Sequence, residues 1–272
     1  MRQGMFVDSH CHLSFPDYQH RLHEVLHSMA QARVAAALCI CTTMEEFDTV
    51  LGVAGTAANL WASLGVHPDN EGVREPTTAE LCALAQAHAD KVIAIGETGL
   101  DYYRLNGRSV ADMAWQRERF AVHIQAALQL DLPLVVHTRS SAEDTLAMLK
   151  EQGAGQARGV FHCFTETVDV ARAALDLGFH ISLSGIVTFK NAETLRDVAR
   201  MVPVDRLLIE TDSPYLAPVP YRGKTNSPAY VPHVAAAVAK ERGCTVEEIG
   251  RQTTSNFETL FRVQVPGIPV AS

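Results

Sequence analysis

Cysteine pairs suited to a disulfide framework are missing from this sequence: Cys11, Cys39, Cys41, Cys82, Cys163 and Cys244 form no CxxC pair and fall mainly in apolar stretches. That argues against a disulfide-stapled scaffold and predicts reduced thiols in a cytoplasmic protein. Long hydrophobic runs are missing too, since no stretch approaches the roughly 18 apolar residues of a membrane span. The chain reaches Asp8, His10 and His12 without a leader-like apolar run, so neither secretion nor membrane insertion is expected. Basic charge is scarce: 23 Lys and Arg against 31 Asp and Glu give a formal net charge of −8. A long duplex nucleic acid on a broad basic surface is therefore not expected, because such binding rests on many phosphate contacts. An anionic substrate must be attracted locally.

What is present is globular usage, 47% hydrophobic and 20% charged, which supplies a core and argues against disorder. Short β-rich apolar runs recur at 6–10, 35–41, 61–67, 92–97, 133–137, 159–164, 180–185 and 207–212. Helix-period segments lie between them at 18–32, 44–57, 77–89, 111–130, 141–151, 167–177 and 191–201, and a longer one spans 228–262. Such alternation calls for a parallel sheet, and eight units predict an α/β fold closed into a (β/α)8 TIM barrel. Periodicity alone leaves an open, doubly wound sheet as the alternative. The whole chain, 1–272, reads as a single domain with its core over about 5–262 and a short frayed tail at 263–272. His10, His67, Glu97, His137, His162 and Asp212 all fall at or just past the C-terminal end of a strand candidate, where barrel enzymes place their chemistry. The Pro- and Gly-rich stretch 214–228 reads as a long loop over the mouth.

His10 and His12 sit at i and i+2, so a period of two sends both imidazoles to one face while Cys11 points away. With 12 histidines in the chain, about half of one His-x-His pair is expected by chance, and the companions carry the argument. IGETGLD puts Glu97 at the end of the fourth strand, VVHTR puts His137 at the end of the fifth, and FHCF and ETDSP add His162 and Asp212. Four imidazoles with two carboxylates suit two divalent ions, Glu97 being the natural bridge because a carboxylate has two oxygens. The mostly imidazole set favours zinc, manganese or iron over an all-oxygen magnesium cage, although magnesium stays among the candidates. A rival metal motif, HEVLH at 23–27, matches the zincin pattern H-E-x-x-H. His23 and His27 nevertheless leave the stripe formed by Leu22, Val25, Leu26 and Met29. They should face solvent on the outside of the barrel.

DSHCHL (8–13), GVHP (65–68), IGETGLDYY (95–103), HTR (137–139), FHCFTE (161–166) and LLIETDSPYLAP (207–218) resemble the TatD family of metal-dependent deoxyribonucleases. PYRGKTN (220–226) and SNFETLF (255–261) fit the same pattern, so the resemblance runs over nearly the whole chain. It implies a distorted, amidohydrolase-like TIM barrel that trims single-stranded DNA from the 3′ end. His10, His12, Glu97 and Asp212 would hold one ion, and Glu97, His137 and His162 the other. The expected partner is a single-stranded DNA end or a small phosphoester, with no membrane and no obligate protein partner.

Weaker warrants mark substrate contacts. His67 is expected to touch a phosphate or orient water. Arg139 presents a fork suited to phosphate oxygens and ranks first, while Arg222 and Lys224 are cations on the mouth loop. Tyr102 and Tyr103 are candidates for stacking on a base. Asp212 is the expected general base and Glu97 the central catalytic ligand. The same ligand set also serves ester or amide hydrolysis, including deacylation of a nucleic acid end, which fold and metals do not separate. A non-catalytic metal or nucleic-acid binding protein is disfavoured, since Glu97 and Asp212 would be costly charges in a mouth without chemistry.

Overall fold

Each apolar run pairs in parallel with the next. Among the residues that the computed structural model describes, 5–267, eight strands form one sheet in chain order. They are β1 (Phe6–Cys11), β2 (Val34–Cys39), β3 (Leu60–Leu64), β4 (Val92–Asp101), β5 (Leu134–Arg139), β6 (Gly159–Phe161), β7 (His180–Leu183) and β8 (Leu207–Ile209). Helices α1 (Leu22–Gln31), α2 (Phe47–Gly55), α3 (Thr78–Ala87), α4 (Ala114–Leu130), α5 (Ala142–Gln152), α6 (Val168–Asp176) and α7 (Glu193–Met201) fill the intervals. Two more, α8 (Val231–Arg242) and α9 (Val246–Phe261), follow β8. The chain past β8 returns to β1 through a parallel bridge between Cys11 and Ser213, where His12 N–H donates to Ser213 O at 2.8 Å. Asp8 fastens the seam by accepting Thr211 N–H at 2.9 Å. The (β/α)8 barrel is the observed fold, and the open sheet is not.

Several elements depart from the sequence reading. Strands three, six and eight stop at Leu64, Phe161 and Ile209, so His67, His162 and Asp212 lie in loops beyond them. Their apolar character continues because these loops are buried in the mouth, not because pairing continues. The expected helix over 228–262 breaks at Gly243, whose φ of 64° provides a left-handed cap, and Thr245 with Glu248 starts α9 by a capping box. That break turns α9 across the N-terminal end of the barrel. There Thr254 Oγ1 donates to Met5 O at 3.1 Å and Asn256 Nδ2 to Leu207 O at 2.8 Å. Phe257, Leu260 and Phe261 of α9 join Val7, Leu38, Trp61 and Val135 in one apolar cluster, closing the barrel from below. The frayed tail is corrected in part: Val265 is buried and its N–H donates to Glu258 Oε1 at 2.8 Å, while 268–272 lie outside the described residues.

His23, Glu24 and His27 are exposed on α1 while Val25 and Met29 are buried, so HEVLH faces solvent. All six cysteines are free. No helix among the described residues is long and apolar enough to cross a membrane.

Helix α4 fixes the loop after β3 from behind. His123 is fully buried; its Nε2 accepts Val66 N–H at 3.0 Å and its Nδ1–H donates to Arg119 O at 2.8 Å. Arg119 in turn donates to His67 O at 2.7 Å. Burial pushes the His123 imidazole from 6.5 down to about 4. Between those values the unfolded chain binds a proton that the folded chain refuses. Stability from this group is complete above pH 6.5 and falls as pH drops towards 4, by on the order of 3 kcal/mol. With chelator present, urea midpoints of wild type and His123→Gln should therefore draw together on acidification, the wild-type slope being steeper by about one proton. Parallel pH curves would contradict the neutral, buried assignment.

Candidate metal centre

Two local irregularities aim the central side chains. The pairing of β1 with β2 shifts register between Asp8 and Cys11, and that of β4 with β5 shifts between Ile95 and Thr98. Such shifts re-aim side chains next to active sites. Val7 belongs to the barrel interior, whereas Cys11 belongs to the layer packed against helices, which leaves His10 and His12 to the mouth. Glu97 enters the mouth within the shifted part of β4. Close approach here requires glycine: a Cβ on Gly65 would lie 2.6 Å from the Gly96 backbone.

The six expected ligands converge. His10 Nε2 lies 3.4 Å from Glu97 Oε2, 3.5 Å from Asp212 Oδ1 and 3.3 Å from His12 Nε2, and His12 Nε2 lies 3.3 Å from Asp212 Oδ1. A tetrahedral ion with bonds of about 2.0–2.1 Å separates its ligand atoms by about 3.3–3.4 Å. His10, His12 and Asp212 therefore close one cluster at the spacing of ligands to a zinc-like ion, and Glu97 reaches that cluster through His10. Glu97 Oε1 faces the other way, 2.7 Å from His162 Nε2 and 3.2 Å from His137 Nδ1. His162 Nε2 is buried and, despite that short distance, has no partner in hydrogen-bond direction. With Nδ1 facing Glu210, Nε2 presents a lone pair beside a carboxylate oxygen, a pairing that a shared cation would satisfy. Burial alone would raise the Glu97 carboxyl, but His162, His67 and His10 outweigh it and hold the group well below the usual carboxylate range. Asp212 is likewise held low, burial being outweighed by His12 and His10.

Two carboxylates that the sequence reading missed complete the arrangement. Asp101 Oδ2 accepts from His137 Nε2 at 3.0 Å, and Glu210 Oε1 lies 3.3 Å from His162 Nδ1. Each fixes a ring so that its other nitrogen faces Glu97, the carboxylate–histidine arrangement that orients metal ligands. Both acids stand inside the quoted motifs, GLD and IETD, but only the fold shows which ring each one faces.

His67 also approaches Glu97, its Nε2 lying 3.3 Å from Oε1. Its Nδ1, however, accepts Asp69 N–H at 3.0 Å. A neutral imidazole accepting at Nδ1 carries its proton on Nε2 and has no lone pair there for a metal. His67 is thus built as a donor into the mouth. Arg139 lines the same cavity, of about 930 Å³, together with Arg104 and Tyr215. Tyr102 is corrected: its ring is buried, and its hydroxyl donates to Asp144 at 2.8 Å and accepts from Arg117 at 3.0 Å, so no face is free for a base. Tyr103 takes the exposed position. Arg222 is corrected too, since it stacks 3.7 Å over Phe189 and does not line the cavity.

Glu97→Ala should lose at least one bound ion per folded chain, whereas Asp101→Asn should keep the ions with metal affinity weakened by about 10–100-fold. Metal analysis by mass spectrometry with circular dichroism measures both. Two ions retained by folded Glu97→Ala would remove it as the bridge.

The family profile described as TatD related DNase matches residues 7–262. An uncharacterized metal-dependent hydrolase, YcfH of Escherichia coli K12, is 48% identical over 261 residues, covering 94% of this chain and 96% of that protein. The 3'-5' ssDNA/RNA exonuclease TatD of Klebsiella pneumoniae is 32% identical over 250 residues, covering 90% and 93%. The crystal structure of YJJV, a TatD homolog from Escherichia coli K12, superposes with a TM-score of 0.87 at 29% identity, covering 95% of this chain and 98% of that one. With the profile spanning the barrel and its cluster of histidines and carboxylates alike, the chain belongs to the TatD family of metal-dependent hydrolases.

Proposed function

We propose that this hydrolase cleaves phosphodiester bonds at single-stranded DNA ends, trimming from the 3′ side with two divalent ions. The observation that carries the reading is the two-sided Glu97 carboxylate, its two oxygens facing separate imidazole sets at the floor of an open, arginine-flanked mouth. The name of the Klebsiella relative supports the substrate class. His10, His12, Glu97 and Asp212 would hold one ion, and Glu97, His137 and His162 the second. Bound there, two such ions lower the pKa of water and offset negative charge developing on a phosphoryl group.

The chain's own groups do the rest. Asp212, with its side chain 15% exposed, is the only one of these two ligand carboxylates with appreciable access to the cavity, since Glu97 is 3% exposed. Its depressed carboxyl stays ionised through neutral pH, so it is ready to receive a proton from attacking water and return it to the leaving oxygen. His67 Nε2–H donates to a phosphate oxygen. Arg139 clamps a neighbouring phosphate, a role that needs few contacts and so agrees with the overall charge of −8.

End-labelled single-stranded DNA, incubated with chelator-treated protein and each divalent metal in turn, should shorten stepwise from the 3′ end. Faster turnover of simple esters than of DNA would overturn the nuclease reading. Asp212→Asn keeps a carbonyl oxygen but cannot accept a proton. Its weakened ion should return at high metal concentration, while kcat stays down by about 10²–10⁴-fold. Full recovery of kcat at full occupancy would remove Asp212 as the base.

A further inference from the structure

The described residues include two strongly exposed aromatic rings, Tyr103 at 58% and Tyr215 at 56%. Tyr215 lines the mouth cavity, Tyr103 stands beside it under Arg139, which does line it, and neither ring is part of the metal centre. Tyr103 follows β4, and Tyr215 follows β8. In a ring of eight strands those positions are four places apart, so the two rings occupy opposite rims.

The backbone that carries each ring is tied to the residues of the metal centre. Tyr103 N–H donates to Asp101 Oδ1 at 2.9 Å, and the other oxygen of Asp101 holds His137. Tyr215 N–H donates to Asp212 O at 3.0 Å. Tyr103 has the Arg139 guanidinium 3.7 Å over one side. Tyr215 leans edge-on against Phe15 and His12, at 6.3 and 6.5 Å between ring centres. Arg104 and Arg139 provide cations on the β4–β5 side of the cavity. Exposed π-faces combined with local cations match single-stranded nucleic acid, in which bases are free to stack and phosphates need pairing. A duplex keeps its bases stacked internally and offers neither platform a face.

We infer that Tyr103, backed by Arg139, and Tyr215 are two base-stacking platforms that suspend a single strand across the barrel, with the phosphate between them over the histidine cluster. This rests on the nuclease reading and adds to it how the substrate is seated. Stacking is tolerant of base identity, so affinity should depend on the presence of bases and little on their sequence.

The test uses the metal-loaded full chain and a phosphorothioate-linked hexadeoxynucleotide containing 2-aminopurine, compared with an abasic hexamer of equal charge. Wild type should quench the 2-aminopurine and bind the natural hexamer more tightly than the abasic one. Tyr103→Leu and Tyr215→Leu should each weaken binding of the natural hexamer by roughly 5- to 150-fold and reduce quenching. Both should leave abasic binding unchanged, and Tyr103→Phe and Tyr215→Phe should behave as wild type. Leucine variants that bind the natural hexamer normally, or lose abasic binding equally, would overturn the platforms. Stacking without cleavage of ordinary single-stranded DNA would overturn the nuclease reading and leave the platforms standing; binding of neither hexamer by wild type would overturn both.

Discussion

An ionised carboxylate buried among imidazoles is the constraint around which the mouth of this barrel is organised. Glu97 is 2% exposed, and His10, His67, His137 and His162 all stand within 3.4 Å of its oxygens. Such a charge is expensive away from water unless paired and hydrogen-bonded. The surrounding features follow from that need: register shifts on β1 and β4 that aim His10, His12 and Glu97, and Asp101 and Glu210 behind two of the rings. Further buried acids around the same imidazoles make a centre whose electrostatics call for cations.

The opposite end of the barrel has a different task. Phe257, Leu260 and Phe261 seal the bottom, and Thr254 and Asn256 satisfy carbonyls at or just before the starts of β1 and β8. Buried apolar side chains of this size contribute about 2–5 kcal/mol each when judged by truncation. Stability is thereby concentrated away from the mouth, where polar groups and open loops would weaken a core. At the mouth, His123 and Arg119 hold the Val66–His67 loop against α4.

The architecture and the convergence of these side chains were legible in the sequence because strand-helix alternation is a periodic signal and strand ends share one rim in a barrel. His10, His12, Glu97, His137, His162 and Asp212 stand on or just past the first, fourth, fifth, sixth and eighth strands, all at one rim, so closure of the barrel brings them together. What was not legible depended on facing. Tyr102 and Tyr103 are neighbours of the same type, yet one ring is held inside by Asp144 and Arg117 and the other meets solvent. Asp101 and Glu210 are visible as acids, but their partners are 36 and 48 residues away. Asp69 N–H decides the proton position on His67, and a backbone donor leaves no mark in composition or spacing. The break at Gly243 was locally marked by a glycine before Thr245 and Glu248, but helical periodicity on both sides concealed it.

Whether Glu97 joins two ions is read most plainly from anomalous diffraction by manganese-loaded crystals. A carboxylate shared between two ions requires two manganese peaks in the mouth with one Glu97 oxygen towards each, and His67 Nε2 outside both coordination spheres. A single peak, two peaks not joined by Glu97, or a peak coordinated by His67 Nε2 would contradict it.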